Sequence, residues 1–528
     1  MHNRPFACLV LLLLLRAAPV HAQVWVPDLG NGGYRNPVLF ADYSDPDVIR
    51  VGDDFYLVAS SFTAMPGIPV LHSKDLVNWE IIGHVYDRLP LQKYDKPQHG
   101  DGSWAPTIRY HNGLFYVYFC TPYDGLWVAT ARNPAGPWEL EHMVDVAAWE
   151  DPSPLWDDDG NAYLVHSKLH ANVLYLHRMS PDGKHLLDDG RVIYEDTLHQ
   201  PTIEGPKFLK KDGWYYILAP AGGVSGGWQA ALRSKNVYGP YEARTVMHQG
   251  GTPINGPHQG GMVQLKSGEW WFMHFQDRGV YGRIVHLQPV TWKDGWPIIG
   301  HDVDGDGIGE PVPEWKKPDV GRTYPVRVPQ TTDGFDSTRL GLQWQWEANP
   351  RQAWYSLTAK PGSMRLYAVR NPSQHGNLWW VPNLLLQKFP APAFTATTRI
   401  SFHPELEGER GGLVVMGKEW AYLAMTKTTD GVRLGMYVGT YDRARDGTRL
   451  VEQVPVPGDS CFLRVRVDEG GMSHFSYSLD GRDYRPIGEP FQAVEGTWIG
   501  AKVGIFDLSP SLAPSRGYAD FDWFRVAR

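Results

Sequence analysis

Five versions of one pattern fill the first three-fifths of the chain, and a repeat of that kind restricts the fold more than any single motif does. Each version runs from an apolar strand through a polar turn into an aromatic strand: DPDVIRVGDDFYLVASSF, APTIRYHNGLFYVYFCTP, DPSPLWDDDGNAYLVHSK, EGPKFLKKDGWYYILAP and HQGGMVQLKSGEWWFMHFQD. They recur roughly every 50 residues, the period of a four-stranded blade, so five copies predict a five-bladed β-propeller. The segments NWEIIGHV, GPWELE and GPYEAR are expected to supply later strands of several blades. Aromatic residues make up 13% of the chain, with 22 Trp. Hardly any stretch has helical periodicity, which places the chain in the all-β class.

The repeat also predicts a site. Equivalent positions in successive blades lie at equivalent places around the central axis. The opening positions of the five copies are Asp45, Ala105, Asp151, Glu204 and His258. An acid before Pro or Gly is, taken singly, as readily a turn former. Three carboxyl groups and one imidazole in shared register are much harder to explain that way.

Taken together, NPVLFADYSDPDVIRVGDDFYL, SSFTAMPGIPVLHSKDLVNW, GSWAPTI, WEDPSPLWDDDGNAYL, IEGPKFLKKDGWYY, GPHQG and YGRIVHL resemble glycoside hydrolase family 43 in order and spacing. The resemblance implies Asp45 as general base, Asp151 as the carboxylate that orients and tunes the acid, and Glu204 as general acid. It also implies that Arg283 contacts the sugar and the catalytic acids, with a surface salt bridge as the plainer reading. Phe62 and Trp104 are implied as walls of the pocket for the terminal sugar, with blade packing as the alternative. His258 is implied to line the central channel near a calcium or sodium ion held largely through water; a lone core histidine is otherwise a satisfied structural residue. The chemistry itself requires no cofactor. Inverting hydrolysis needs a base that activates water on one face of the sugar and an acid that protonates the leaving oxygen on the other, roughly 6.5–9.5 Å apart. An anionic Asp151 nearby is expected to keep Glu204 protonated.

The implied activity is exo-acting removal of terminal pentose from xylan-derived oligosaccharides, with β-D-xylosidase first and α-L-arabinofuranosidase close behind. An endo-arabinanase and a non-catalytic sugar-binding propeller are the remaining alternatives. The expected partner is a xylo-oligosaccharide or an arabinose-containing oligosaccharide. A net charge of -8 without basic runs argues against nucleic acid.

Residues 1–22 combine a basic start, a leucine-rich centre too short to span a bilayer and a small-residue exit, and read as a cleaved signal peptide. The mature protein is therefore expected to be secreted or periplasmic, without membrane insertion. The propeller is assigned to 23–325, including the start of a proline-rich linker. Residues 326–528, with strands such as GLVVMG, FLRVRVDE and ADFDWFRV, are assigned to a β-sandwich; the resemblance implies a concanavalin A-like jelly roll that can lend a loop to the pocket rim, with a purely stabilising domain equally open. Cys8 leaves with the signal peptide, and Cys120 and Cys461 lie in different domains, so no disulfide framework is expected. In HDVDGDGIGEPV, Asp302, Asp304 and Asp306 have the spacing of a calcium loop, but Pro313 stands where the closing glutamate would be; a solvated turn and a metal site are equally open.

Overall fold

Turn chemistry sets the hairpins of the first domain. Asn112–Gly113, Asp212–Gly213 and Asp294–Gly295 each join two strands with both residues at positive φ (49° and 81°, 50° and 72°, 52° and 74°). That is the type I′ geometry, whose twist matches the strands it connects. A computed structural model describes residues 24–373, 376–442, 447–510 and 513–528; the expected signal peptide lies outside the described residues. Among them there is no α-helix, only short 3₁₀ turns.

Five four-stranded antiparallel sheets follow one another in sequence, each with its strands in simple chain order. Their innermost strands are Asp47–Val51, Trp104–His111, Trp149–Trp156, Lys207–Lys211 and His258–Gln264. This is the expected five-bladed propeller. NWEIIGHV, GPWELE and GPYEAR fall in the fourth strands Trp79–Tyr86, Glu139–Val144 and Glu242–Met247. Alternating apolar residues pack between blades, with Trp79 and Trp271 fully buried.

Polar side chains stitch the innermost strands together. Asp47 Oδ2 accepts from Ile108 N at 2.9 Å and Arg109 Nη1 at 2.7 Å, and Ser153 Oγ accepts from Phe208 N at 3.0 Å. Lys207 reaches across to donate to Thr107 Oγ1 at 2.6 Å and Pro106 O at 3.2 Å. These bonds satisfy polar groups that are largely shut off from water.

The ring is not closed by a shared blade. Gly33–Arg35 pairs antiparallel with Glu314–Lys316 from the proline-rich passage. Tyr34 Oη donates to Leu287 O at 2.8 Å, and Asn36 Nδ2 donates to Leu287 O and Val312 O at 2.8 and 2.7 Å. The proline-rich linker thus latches the start of the propeller to its last blade.

The second domain is two facing sheets. Lys502–Ser509 and Arg410–Met416 are central in one, Phe394–His403 and Tyr518–Ala527 in the other. Leu413, Val415, Val503 and Ile505 point between the sheets toward Ile400, Val465 and Phe521. Cys120 and Cys461 are both buried and unpaired with each other.

The sandwich docks on the propeller through backbone as well as side chains. Met65 and Trp346 exchange N–H···O bonds at 2.9 and 2.6 Å, and Ala501 N donates to Val280 O at 2.7 Å. Gly500 is required by close approach: a Cβ there would lie 2.5 Å from the Tyr281 carbonyl carbon. Buried Glu347 and Lys502, with half-buried Lys388 and His99 beside them, sit in the same interface. Lys502 Nζ and Glu347 Oε1 are 2.6 Å apart.

Candidate active site

Each acid of the predicted ring sits where the backbone departs from regular strand. Asp45 and Asp151 have φ of 53° and 57°, Ala105 has 34°, and Gly205 and Gln259, next to Glu204 and His258, have 57° and 41°. Pairing slips beside three of these openings, between Trp104 and Thr107, Glu150 and Ser153, and His258 and Gly260. Bulges of this kind re-aim side chains at the ends of blades. Here Asp45, Asp151 and Glu204 all enter one cavity of about 380 Å³, joined by Phe62, Trp104 and Arg283. Every pocket residue anticipated from the sequence is in its wall.

The carboxyl groups are held differently. Asp45 Oδ1 accepts from Arg283 Nη1 at 2.8 Å, and its Oδ2 accepts from Ser60 Oγ at 2.6 Å and Ser44 Oγ at 2.9 Å. Three donors on one carboxyl fix its orientation and leave it an acceptor toward the cavity. Asp151 Oδ2 accepts from Gly205 N at 2.8 Å and Ser167 Oγ at 3.1 Å, which ties it to the backbone beside Glu204. Burial, with the Glu204 and Asp45 charges beside it, pushes the Asp151 carboxyl well above the usual carboxylate range. Glu204 Oε1 is 2.8 Å from His258 Nε2, and the imidazole is fully buried.

Glu150 is a fourth carboxyl group that the repeat register did not single out. It lines the same cavity and is 6% exposed. Burial, and then repulsion from Asp151, Glu204 and Asp45, drives its pKa up. The slip between Glu150 and Ser153 interrupts the alternation that would otherwise point Glu150 and Asp151 to opposite faces.

The aromatic wall spans both domains. Phe62 and Trp104 meet edge to face at 6.1 Å, and Trp104 meets Trp498 of the sandwich in the same way at 6.2 Å. Gly102 permits the fold of that wall: a Cβ would fall 2.1 Å from Phe62 O. Trp498 stays 52% exposed, its ring 5.8 Å from the Arg283 guanidinium. Asp42 couples the loop to the arginine, since its Oδ1 accepts from Arg283 N at 2.9 Å and its Oδ2 from Gly500 N at 3.1 Å. A loop of the sandwich therefore reaches the rim, where the sequence leaves a rim-building and a purely stabilising domain equally open and names no residue of the loop.

His258 Nδ1 is buried and has no partner among the described residues. A single imidazole nitrogen fits a hard cation only through intervening water, because such ions prefer oxygen ligands. The Asp302, Asp304 and Asp306 carboxyls converge to within 4.8 Å. Each already accepts backbone N–H groups of its own loop, and Glu310 turns away to accept from Gly251 N.

Residues 34–297, which contain every carboxyl group of the pocket, match the family model for glycosyl hydrolases family 43. The chain belongs to glycoside hydrolase family 43. Residues 332–527 of this family 43 protein match the β-xylosidase C-terminal concanavalin A-like domain. A putative β-xylosidase of Xylanibacter ruminicola is 45% identical over 90% of this chain and 86% of that protein. The non-reducing end α-L-arabinofuranosidase BoGH43B of Bacteroides ovatus is 32% identical over 98% of both chains. The crystal structure of xylan β-1,4-xylosidase from Bacillus halodurans superposes with a TM-score of 0.82 at 26% identity, covering 94% of this chain and all of that one. The family 43 chain is thus similar to these enzymes in both domains.

Proposed function

We propose that this glycoside hydrolase is an exo-acting, inverting β-D-xylosidase that removes terminal xylose from xylan-derived oligosaccharides. The observation that carries the reading is a single pocket in which the propeller supplies the carboxyl groups and the sandwich supplies Trp498. A rim built from a second domain favours a chain end over an internal sugar. The relative from X. ruminicola supports xylose as the sugar. The B. ovatus relative supports arabinofuranose as the second reading, with the same carboxyl groups in the same roles.

In this mechanism Asp45 takes the proton from the attacking water while Glu204 protonates the leaving oxygen. The anomeric carbon inverts because the two act on opposite faces of the sugar. Asp151 holds the Gly205 backbone and thereby Glu204, and Arg283 holds Asp45. His258 fixes the Glu204 carboxyl through Nε2. A calcium or sodium ion held through water at its Nδ1 would add positive charge beneath the carboxyl groups. Residues 1–22 are read as a signal peptide, with the enzyme acting outside the cytoplasm.

Proton NMR of the first turnovers on an aryl β-D-xyloside tests the stereochemistry. α-Xylose is expected to appear first, and initial β-xylose would overturn the inverting assignment. Faster cleavage of an aryl α-L-arabinofuranoside would move the substrate to the second reading and leave the chemistry in place. Glu204→Ala is expected to lose about 10²–10⁴-fold on xylobiose and far less on an aryl xyloside whose leaving group needs no proton. Equal losses on both would remove Glu204 as the acid. Trp498→Ala is expected to raise KM about fivefold with kcat little changed, the worth of one aromatic platform of about 1 kcal/mol; Michaelis–Menten kinetics on xylobiose would show this.

A further inference from the structure

The sandwich contains buried oxygen atoms that neither the pocket nor the packing uses. Asp507 and Glu409 are both fully buried. Oε1 of Glu409 and both carboxyl oxygens of Asp507 lack a side-chain partner; the backbone N–H of Leu508 lies beside Asp507, and Oε2 of Glu409 accepts from Glu405 N at 2.7 Å. No ion pair among the described residues involves either side chain. The one positive group close in sequence, Arg410, lies on the other face of its strand, where its Nη1 donates to Tyr422 Oη at 2.9 Å.

Strand register brings these groups together. Gly411 pairs with Asp507, and Glu409, the residue just before the strand Arg410–Met416, lies near enough for its charge to act on Asp507. Val503 and Ile505 of the Asp507 strand face the intersheet core, and the two-residue period puts Asp507 on that side too. On the other flank Leu385 pairs with Ile505; continuing that register sets Asn383 opposite Asp507, and Asn383 Nδ2 donates to Asp507 O at 3.0 Å. Asn383 is 2% exposed, and its Oδ1 is also unpartnered. One strand and the segments leading into its two neighbours thus contribute four oxygens without a side-chain partner. Gly411 leaves no side chain between them; a Cβ there would lie 3.2 Å from Asp507 Oδ1 and 3.1 Å from Ala519 Cβ.

Two carboxyl groups buried without a counter-charge are costly, and burial together with the Glu409 charge pushes the Asp507 carboxyl far up. We propose that Asp507, Glu409 and Asn383 form a cation site inside the sandwich that takes a calcium-class divalent ion. The donors are all oxygen, which excludes thiophilic metals, and two carboxylates match a charge of two. Calcium is favoured over magnesium because an Asp, a Glu and an amide carbonyl on a sheet face make an irregular shell, whereas magnesium demands near-ideal octahedral geometry and keeps its water.

The test uses the full chain, stripped with a chelator, re-equilibrated with calcium and desalted. Metal content by mass spectrometry is expected to be one calcium per chain higher in the wild type than in Asp507→Asn/Glu409→Gln, whose amides keep the volume and remove the charge. Any ion near His258 is common to both proteins and cancels. Added calcium is expected to raise the wild-type melting midpoint by about 5–10 °C at saturating concentration and to leave the variant unmoved. Asp507→Asn alone should lose the calcium response, which provides the comparison if the double variant folds poorly. Equal metal content, with a midpoint indifferent to calcium and dependent on pH, would replace the ion by a proton shared between the carboxyl groups and overturn the proposal.

Discussion

Asp45→Ala is expected to lower kcat on aryl β-D-xylosides by about 10³–10⁴-fold, the upper end of what a positioned general base contributes. That corresponds to about 4–5.5 kcal/mol of lost transition-state stabilisation. Asp45 is already aimed by Arg283, Ser44 and Ser60, so the enzyme does not reorganise the carboxylate during reaction. Azide should partly rescue the variant by attacking where water no longer can, giving an α-glycosyl azide. Circular dichroism and the melting midpoint separate this loss from unfolding. Retention of more than a tenth of wild-type kcat in a folded variant would dismiss Asp45 as the base.

The second large effect lies between the domains. Burial pushes the Glu347 carboxyl up, but Lys502, His99 and Lys388 together bring it below its usual range. Glu347→Ala would leave Lys502 buried without its partner, at a cost of about 3–5 kcal/mol. The expected result is a melting midpoint about 5–10 °C lower near pH 7. KM should rise as well, because His99, which also stacks on Trp379 at 3.6 Å, lines the pocket. The sign of the pH dependence follows from the lowered pKa. Glu347 contributes stability above its ordinary value of 4.5 and loses it as pH falls through the folded value. Wild type should therefore weaken below about pH 4.5 over a window in which the variant changes less. A variant that melts with the wild type at both pH values would show that the cluster does not hold the domains together.

The propeller was legible because its strands alternate and its turns carry Asn-Gly and Asp-Gly pairs, both of them local signals. Asp45, Asp151, Glu204 and His258 were legible through register, and the left-handed openings that aim them recur blade after blade. Arg283, Phe62 and Trp104 came through the family resemblance, and they lie in the pocket wall. Glu150 was hidden because simple alternation sends it away from Asp151, and only the slipped pairing brings both inward. Trp498 was hidden by distance along the chain; nothing in EGTWIGAK signals that Thr497 will pack on Gly100. The ring latch was missed because two three-residue strands are too short to show a period. The buried acids of the sandwich looked like ordinary strand residues, since burial of a carboxyl is a tertiary fact.

The latch sets a timetable for synthesis. Residues 33–35 leave the ribosome early, yet their partner strand, 314–316, is made some 280 residues later. Until then Gly33–Arg35 lacks its partner strand, so a segment made early is among the last to be finished. Docking of Trp498 comes later still, after most of the sandwich has been translated. A nascent chain therefore carries all its pocket carboxyl groups well before it has the Trp498 rim that completes the pocket wall.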